Sequence, residues 1–195
     1  LQRHLVEMKI VPSEVLTMKD SFPLPDSRFA EAVKSLPDAY QGLGVVMTDA
    51  ARSVPLMKAA FKQASKPEER FVYAHVLAMM GHADGERDLI EKVEALEWDK
   101  GWNFRGMGQY NRSVSWVDSY IIALGRARSK QAVAAIIRKA NALDASHEFS
   151  HFRAVAMALE AIGDRSAAPV LGALLAKEGV GGYSFTMQAD LPVIK

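Results

Sequence analysis

Ser115-Trp-Val-Asp-Ser-Tyr-Ile-Ile-Ala-Leu-Gly-Arg-Ala-Arg128 reads as an amphipathic helix running into a glycine. The helix starts at Ser115, and its apolar run Tyr120-Ile-Ile-Ala-Leu ends in Gly125. Two other stretches share this form: Phe71 through Leu77-Ala-Met-Met-Gly81, and Ala156-Met-Ala-Leu-Glu-Ala-Ile-Gly163. After each glycine comes a short stretch of polar or small residues and then a second amphipathic segment, at Leu89-Ile, Ala132-Val and Pro169-Val-Leu. The glycines are 44 and 38 residues apart, and they are expected at equivalent turns. A helix-turn-helix unit recurring at that period is the signature of HEAT-type or armadillo-type repeats. Each such hairpin has an apolar face that only a neighbouring hairpin can cover. The expected fold is therefore all-α, an α-α superhelix of stacked antiparallel helix pairs.

Helices are expected from a cap at Thr48 or Asp49 to about Ala64, from Pro67 to a C-cap at Gly81, and over 86–96, 115–124, 130–143, 147–162 and 166–177. Residues 1–48 are expected to form an irregular leader packed on the array. Pro23, Pro25 and Pro37 rule out a long element there, and Gly42-Leu-Gly-Val-Val-Met fits a short buried strand or an extended run. The array itself spans 49–179, with an insertion at 98–113, and 180–195 is expected to be an irregular tail.

Composition restricts the function classes. Lys plus Arg number 24 against 23 Asp plus Glu, a net charge of +1 that gives no electrostatic footprint for nucleic acid. No apolar run is long enough for a membrane span. With no cysteine, disulfide and thiolate chemistry are excluded. The first residue is Leu1, and the chain reads as a piece of something longer or a processed product.

His147-Glu-Phe-Ser-His151 has the form His-Glu-x-x-His, which on a helix can offer two imidazoles to one zinc ion. No third ligand follows in the pattern of a metalloprotease, and Glu160 and Glu178 are poorly spaced for the role. The favoured reading has Glu148 at a helix N-terminus and His151 on the edge of the apolar stripe of Val155 and Ile162. Gly106-Met-Gly-Gln-Tyr-Asn begins like a dinucleotide fingerprint, but Asn111 stands where the third glycine belongs and no strand precedes it. His4, His75 and His82 have no second ligand at useful spacing, and serine-nucleophile motifs are absent. No catalytic residue, cofactor site or metal site is assigned in this chain.

The insertion holds Trp98, Trp102, Phe104 and Tyr110 within thirteen positions, interleaved with Gly101, Gly106 and Gly108 and flanked by Arg105 and Arg112. A long aromatic and glycine-rich loop between helices commonly serves contact. Trp98-Asp-Lys-Gly-Trp-Asn-Phe-Arg-Gly-Met-Gly-Gln-Tyr, the helix from Ser115, and Glu148-Phe-Ser-His-Phe-Arg-Ala-Val-Ala-Met-Ala-Leu-Glu-Ala-Ile-Gly-Asp together resemble the C-terminal helical region of bacterial FAD-dependent oxidoreductases. The resemblance runs from about Val45 to Gly179, and Leu1-Gln-Arg-His-Leu-Val-Glu resembles the segment where the flavin domain of that family leaves off. It implies FAD for the parent protein, bound by a domain whose glycine-rich unit this chain lacks. It also implies a bacterial setting, with cytoplasm or periplasm both open.

Two functions follow as expectations. In one, the chain is a non-catalytic accessory domain whose insertion docks against the flavin-binding domain of the same parent chain. In the other, it is a free-standing HEAT-like module that binds a protein or peptide. In both, Trp102, Arg105, Gln109, Tyr110, Arg112 and Asp118 are the expected contact residues, while Trp98 and Trp102 can alternatively cap the core between repeats.

Overall fold

The computed structural model describes residues 24–101, 115–178, 181–185 and 190–194. All elements described between residues 24 and 178 are helical. They are α1 (Asp26–Ser35), α2 (Leu43–Val46), α3 (Ala50–Gln63), α4 (Pro67–Met79), α5 (Glu86–Ala95), α6 (Trp116–Arg126), α7 (Val133–Asn141), α8 (Phe149–Ile162) and α9 (Ala168–Ala176). The chain is thus all-α in its described body, as the periodicity requires.

Local chemistry sets the ends of these helices. Asp49 caps α3, its carboxylate accepting the Arg52 N–H at 3.2 Å. Pro67 opens α4, where its missing N–H has no partner to lose, and Glu68 and Glu69 follow in the first turn. Ser115 caps α6 by accepting the Asp118 N–H at 3.0 Å.

The helices from α4 onward form two tiers. In one, α4 packs on α6 and α6 on α8; in the other, α5 packs on α7 and α7 on α9. The cross-contacts fix direction in the first tier. His75 meets Ser119 and Met79 meets Arg126 across one seam; Asp118 meets His151 and Gly125 meets Ala158 across the next. Both members of each seam advance together, so α4, α6 and α8 run parallel. The second tier is tied by Arg138 to Glu94, by Lys139 to the Leu96 carbonyl, and by Lys177 to the Asn141 and Leu143 carbonyls. Between the tiers lies a core that includes Leu77, Leu89, Val93, Ile121, Leu124, Ile136 and Leu159.

The three glycines do not occupy equivalent turns. Gly81 and Gly163 are left-handed, at φ 88° and 70°, but Gly125 lies inside α6. The residue equivalent to Gly81 is Arg128, at φ 52°. After α4, the His82 N–H reaches the Leu77 carbonyl and the Gly81 N–H that of Ala78; after α6, Ser129 reaches Leu124 and Arg128 reaches Gly125 in the same way. Both are Schellman closures, which need one left-handed residue. The turns after Arg128 and Gly163 then match each other. Ser129 and Asp164 cap single 3-10 turns, Lys130–Ala132 and Arg165–Ala167, which feed α7 and α9. Gly125 serves packing instead: a Cβ there would lie 2.5 Å from Ala158 Cα.

Residues 24–48 differ from the irregular leader expected. Pro25 and Pro37 leave room for the three turns of α1, which buries Phe29, Ala32 and Val33. The run expected as strand or extended chain is the short helix α2, entered through Gly42 at φ 78°. A Cβ on Gly42 would strike the Ala32 backbone at 2.7 Å. Arg52 fastens this segment to α3: it bonds the Leu24 carbonyl and lies 4.1 Å over the Phe29 ring. The tail also departs from expectation, since Gly181–Phe185 and Asp190–Ile194 pair as antiparallel strands with Gly181 opposite Ile194. Pro192 fits because both strands of a two-stranded ladder are edges.

Glycine replacement separates packing from propensity. Gly125→Ala should destabilise the chain by about 1–3 kcal/mol through overpacking against α8. Gly172→Ala, in open space within α9, should instead stabilise by about 0.5–1 kcal/mol. Arg128→Gly should add about 1 kcal/mol by relieving the left-handed backbone. Urea midpoints of the three variants check these signs.

Candidate functional site at the base of the insertion

The segment Trp98–Gly101, the N-terminus of α6 and the N-terminus of α8 converge in one polar cluster. Asp99 joins the first two. One carboxylate oxygen accepts the Ser115 hydroxyl at 2.5 Å and the other the Trp116 N–H at 2.7 Å. A carboxylate at a helix N-terminus meets unpaired N–H groups and the positive end of the helix dipole. The two ends of the insertion, Gly101 and Ser115, are thereby drawn to one place.

Asp118 and His151 join α6 to α8. His151 is 0% exposed, and its Nδ1 lies 2.7 Å from an Asp118 carboxylate oxygen, itself in a side chain 5% exposed. The Nε2 atom is buried without a hydrogen bond, 3.5 Å from the Glu148 carboxylate. The Trp98 ring lies against this imidazole with centroids 4.6 Å apart, and its own Nε1 is also buried without a partner. Gly101 closes the cluster: a Cβ there would come within 2.7 Å of His151 Nε2. The Lys139 ammonium stands 5.9 Å from the Trp98 ring centre.

Charge decides the protonation state of His151. Burial pulls its pKa down, but the hydrogen bond and charge of Asp118, with the charges of Glu148 and Asp99, outweigh burial and raise it. When protonated, the imidazolium is a buried cation held between carboxylates and an indole face, and it clamps the two helices. His75, in the neighbouring seam, shows the opposite balance. Its Nδ1 meets the Tyr40 hydroxyl at 2.8 Å and its Nε2 the Ser119 hydroxyl at 3.1 Å. With two neutral partners, burial dominates and the pKa falls to about 4.

The expected contact residues Trp102, Arg105, Gln109, Tyr110 and Arg112 lie outside the described residues. Asp118 is described, and it sits in the interior as the partner of His151 rather than on a surface. Trp98 packs against the core, in keeping with the capping alternative. His147 and His151 do not share a helix face, because α8 starts at Phe149 and His147 turns to Asp144 at 2.9 Å. Among the described residues, no group of three or more His, Asp and Glu side chains is arranged to hold a metal ion. Asp99 and the Tyr40–His75–Ser119 chain were not singled out from sequence. The one sequence signal near them was the Ser-x-x-Asp capping pattern at Ser115–Asp118. No protein-family model, curated protein or solved structure matches the chain.

The two histidines give opposite pH signs. His151, with a raised folded pKa, contributes stability fully below its ordinary value of 6.5 and loses it as pH rises through the folded value. His75, depressed to about 4, contributes above 6.5 and loses that as pH falls through about 4. Comparing wild type with Asp118→Asn cancels the His75 part. The gap in melting temperature should be wider at about pH 5.5 than at about pH 8.5. Equal gaps would show that His151 carries no proton in the fold.

Proposed function

We propose that this chain is the helical accessory domain of a flavin-dependent oxidoreductase, presenting its 98–113 insertion to a flavin-binding domain of the parent protein. The anchoring of the insertion carries the reading. Asp99 joins its two ends, Gly101 presses on His151, and the Asp118–His151 bond sets that base into the α6–α8 seam. A loop fixed so firmly at its feet presents its side chains at lower entropic cost to a partner. The resemblance of 98–110, 115–128 and 148–164 to the helical region of such oxidoreductases supplies the partner's identity.

The same reading treats the two tiers as an array of HEAT-like hairpins, with α4, α6 and α8 as first helices and α5, α7 and α9 as second ones. The matched turns at Arg128 and Gly163 support that assignment. In this arrangement FAD belongs to the other domain. The accessory domain contributes surface: Trp102, Arg105, Gln109, Tyr110 and Arg112 are aromatic, cationic and amide side chains of the kind that dominate interface energy when buried centrally.

Paired substitution tests the proposal. Arg105→Ala with Tyr110→Ala should leave the melting temperature of this chain nearly unchanged while lowering turnover or domain association of the parent protein at least tenfold, about 1.4 kcal/mol. A loss of about 3–5 kcal/mol from the isolated chain, with parent activity falling only in step with stability, would make the insertion a core cap instead.

A further inference from the structure

A groove of about 560 Å³ opens between the start of α4, α5 and the N-terminal half of α6. Such a volume suits a small ligand. Three aromatic rings line it: Tyr40, Phe71 and Tyr120. Phe71 and Tyr120 meet edge to face at 5.0 Å, and the half-exposed Trp116 (51%) stacks beside both tyrosines at 5.9 and 6.0 Å. His75 lies beneath them, edge-on to Tyr40 at 5.6 Å and to Tyr120 at 4.9 Å. Burial keeps this imidazole neutral, so the floor places no cation under the rings.

The rim carries both signs of charge: Glu68, Asp88, Glu91 and Lys92 line it, and Lys66 lies within electrostatic reach of Glu68. Asp88 and Glu91 also have guanidinium partners, Arg70 at 3.0 Å and Arg87 at 2.9 Å, whereas Glu68 stands exposed at the first turn of α4. Lys92 reveals what the rings attract, since its ammonium already lies 5.7 Å from the Phe71 ring centre. An aromatic face is the negative end of a quadrupole, and several faces around one point make a cage for ammonium groups.

Backbone strain points to the same place. Ala39 and Tyr40 are both left-handed, at φ 50° and 61°, without being glycine. Each costs of order 1 kcal/mol and persists only where the surroundings hold it. Tyr40 lines the groove, and its hydroxyl meets His75 Nδ1 at 2.8 Å.

We propose that this groove binds a small organic ammonium ion, with its alkylated nitrogen against Tyr40, Phe71 and Tyr120 and its charge facing Glu68. This inference does not rest on the flavin reading. Choline is a suitable probe, and its uncharged carbon isostere, dimethylbutanol, is the control of equal shape. In amide NMR titrations, choline should give saturable shifts at Phe71, Val72 and Tyr120. The isostere should bind about tenfold more weakly, the ratio expected when cation–π attraction and a nearby carboxylate both act. Glu68→Gln, at an exposed position, should weaken choline about threefold, and Lys92→Gln should strengthen it by a similar factor as the competing ammonium leaves. Two results would overturn the proposal: equal affinity for choline and the isostere, or no saturable shift in either wild type or the Lys92→Gln chain.

Discussion

The contact between α6 and α8 holds the described body together, and it depends on two points seven residues apart on each helix. At one, Gly125 lets Ala158 approach until no Cβ fits between them. At the other, Asp118 meets His151. Two turns of helix separate the points, so both fall on the same face. The glycine sets the distance between the helices and the charged hydrogen bond sets their axial position. The other features near this seam depend on the two together. Gly101 packs on the histidine, Asp99 binds the end of the helix that carries Asp118, and Trp98 lies over the imidazole.

The buried polar groups also divide the first tier into chemically distinct seams. Across α4–α6 the link is neutral, with a depressed histidine between two hydroxyls. Across α6–α8 a histidine with a raised pKa meets a carboxylate. Ser119 and Asp118 are adjacent in sequence, so α6 turns one residue toward each neighbour at the same height. Replacing either histidine by an apolar residue would strand the groups it satisfies, which is where buried polar contacts become expensive.

Much of this fold was legible because helix ends follow local chemistry. Asp49, Pro67 and Ser115 mark helix starts through caps that act within three or four residues, and the apolar spacing of Leu77, Ile121 and Leu124 identifies buried faces. Gly125 was misread because glycine after an apolar run usually closes a helix; its true reason, the Ala158 backbone, lies 33 positions away. Arg128 was invisible as a turn residue, since a left-handed arginine has no compositional mark. His151 drew notice through a zinc-like spacing, although its partner Asp118 comes from another helix and shares no local pattern with it. Tyr40 stood in a leader expected to be irregular, so nothing connected it to His75. Side chains brought together by stacking leave little trace in sequence neighbourhoods.

The two seams have a consequence for how the chain finds its fold. Helices with similar apolar faces can dock on the wrong neighbour. If α4 docked directly on α8, with α6 left out, His151 would lose Asp118, its carboxylate partner. Asp118 and Ser119 would meanwhile be left on an unstacked helix. An ion buried without its partner costs several kcal/mol, enough to make such a mis-stacked form short-lived. The polar pairs therefore act as addresses that favour the observed order of helices over a mis-stacked one.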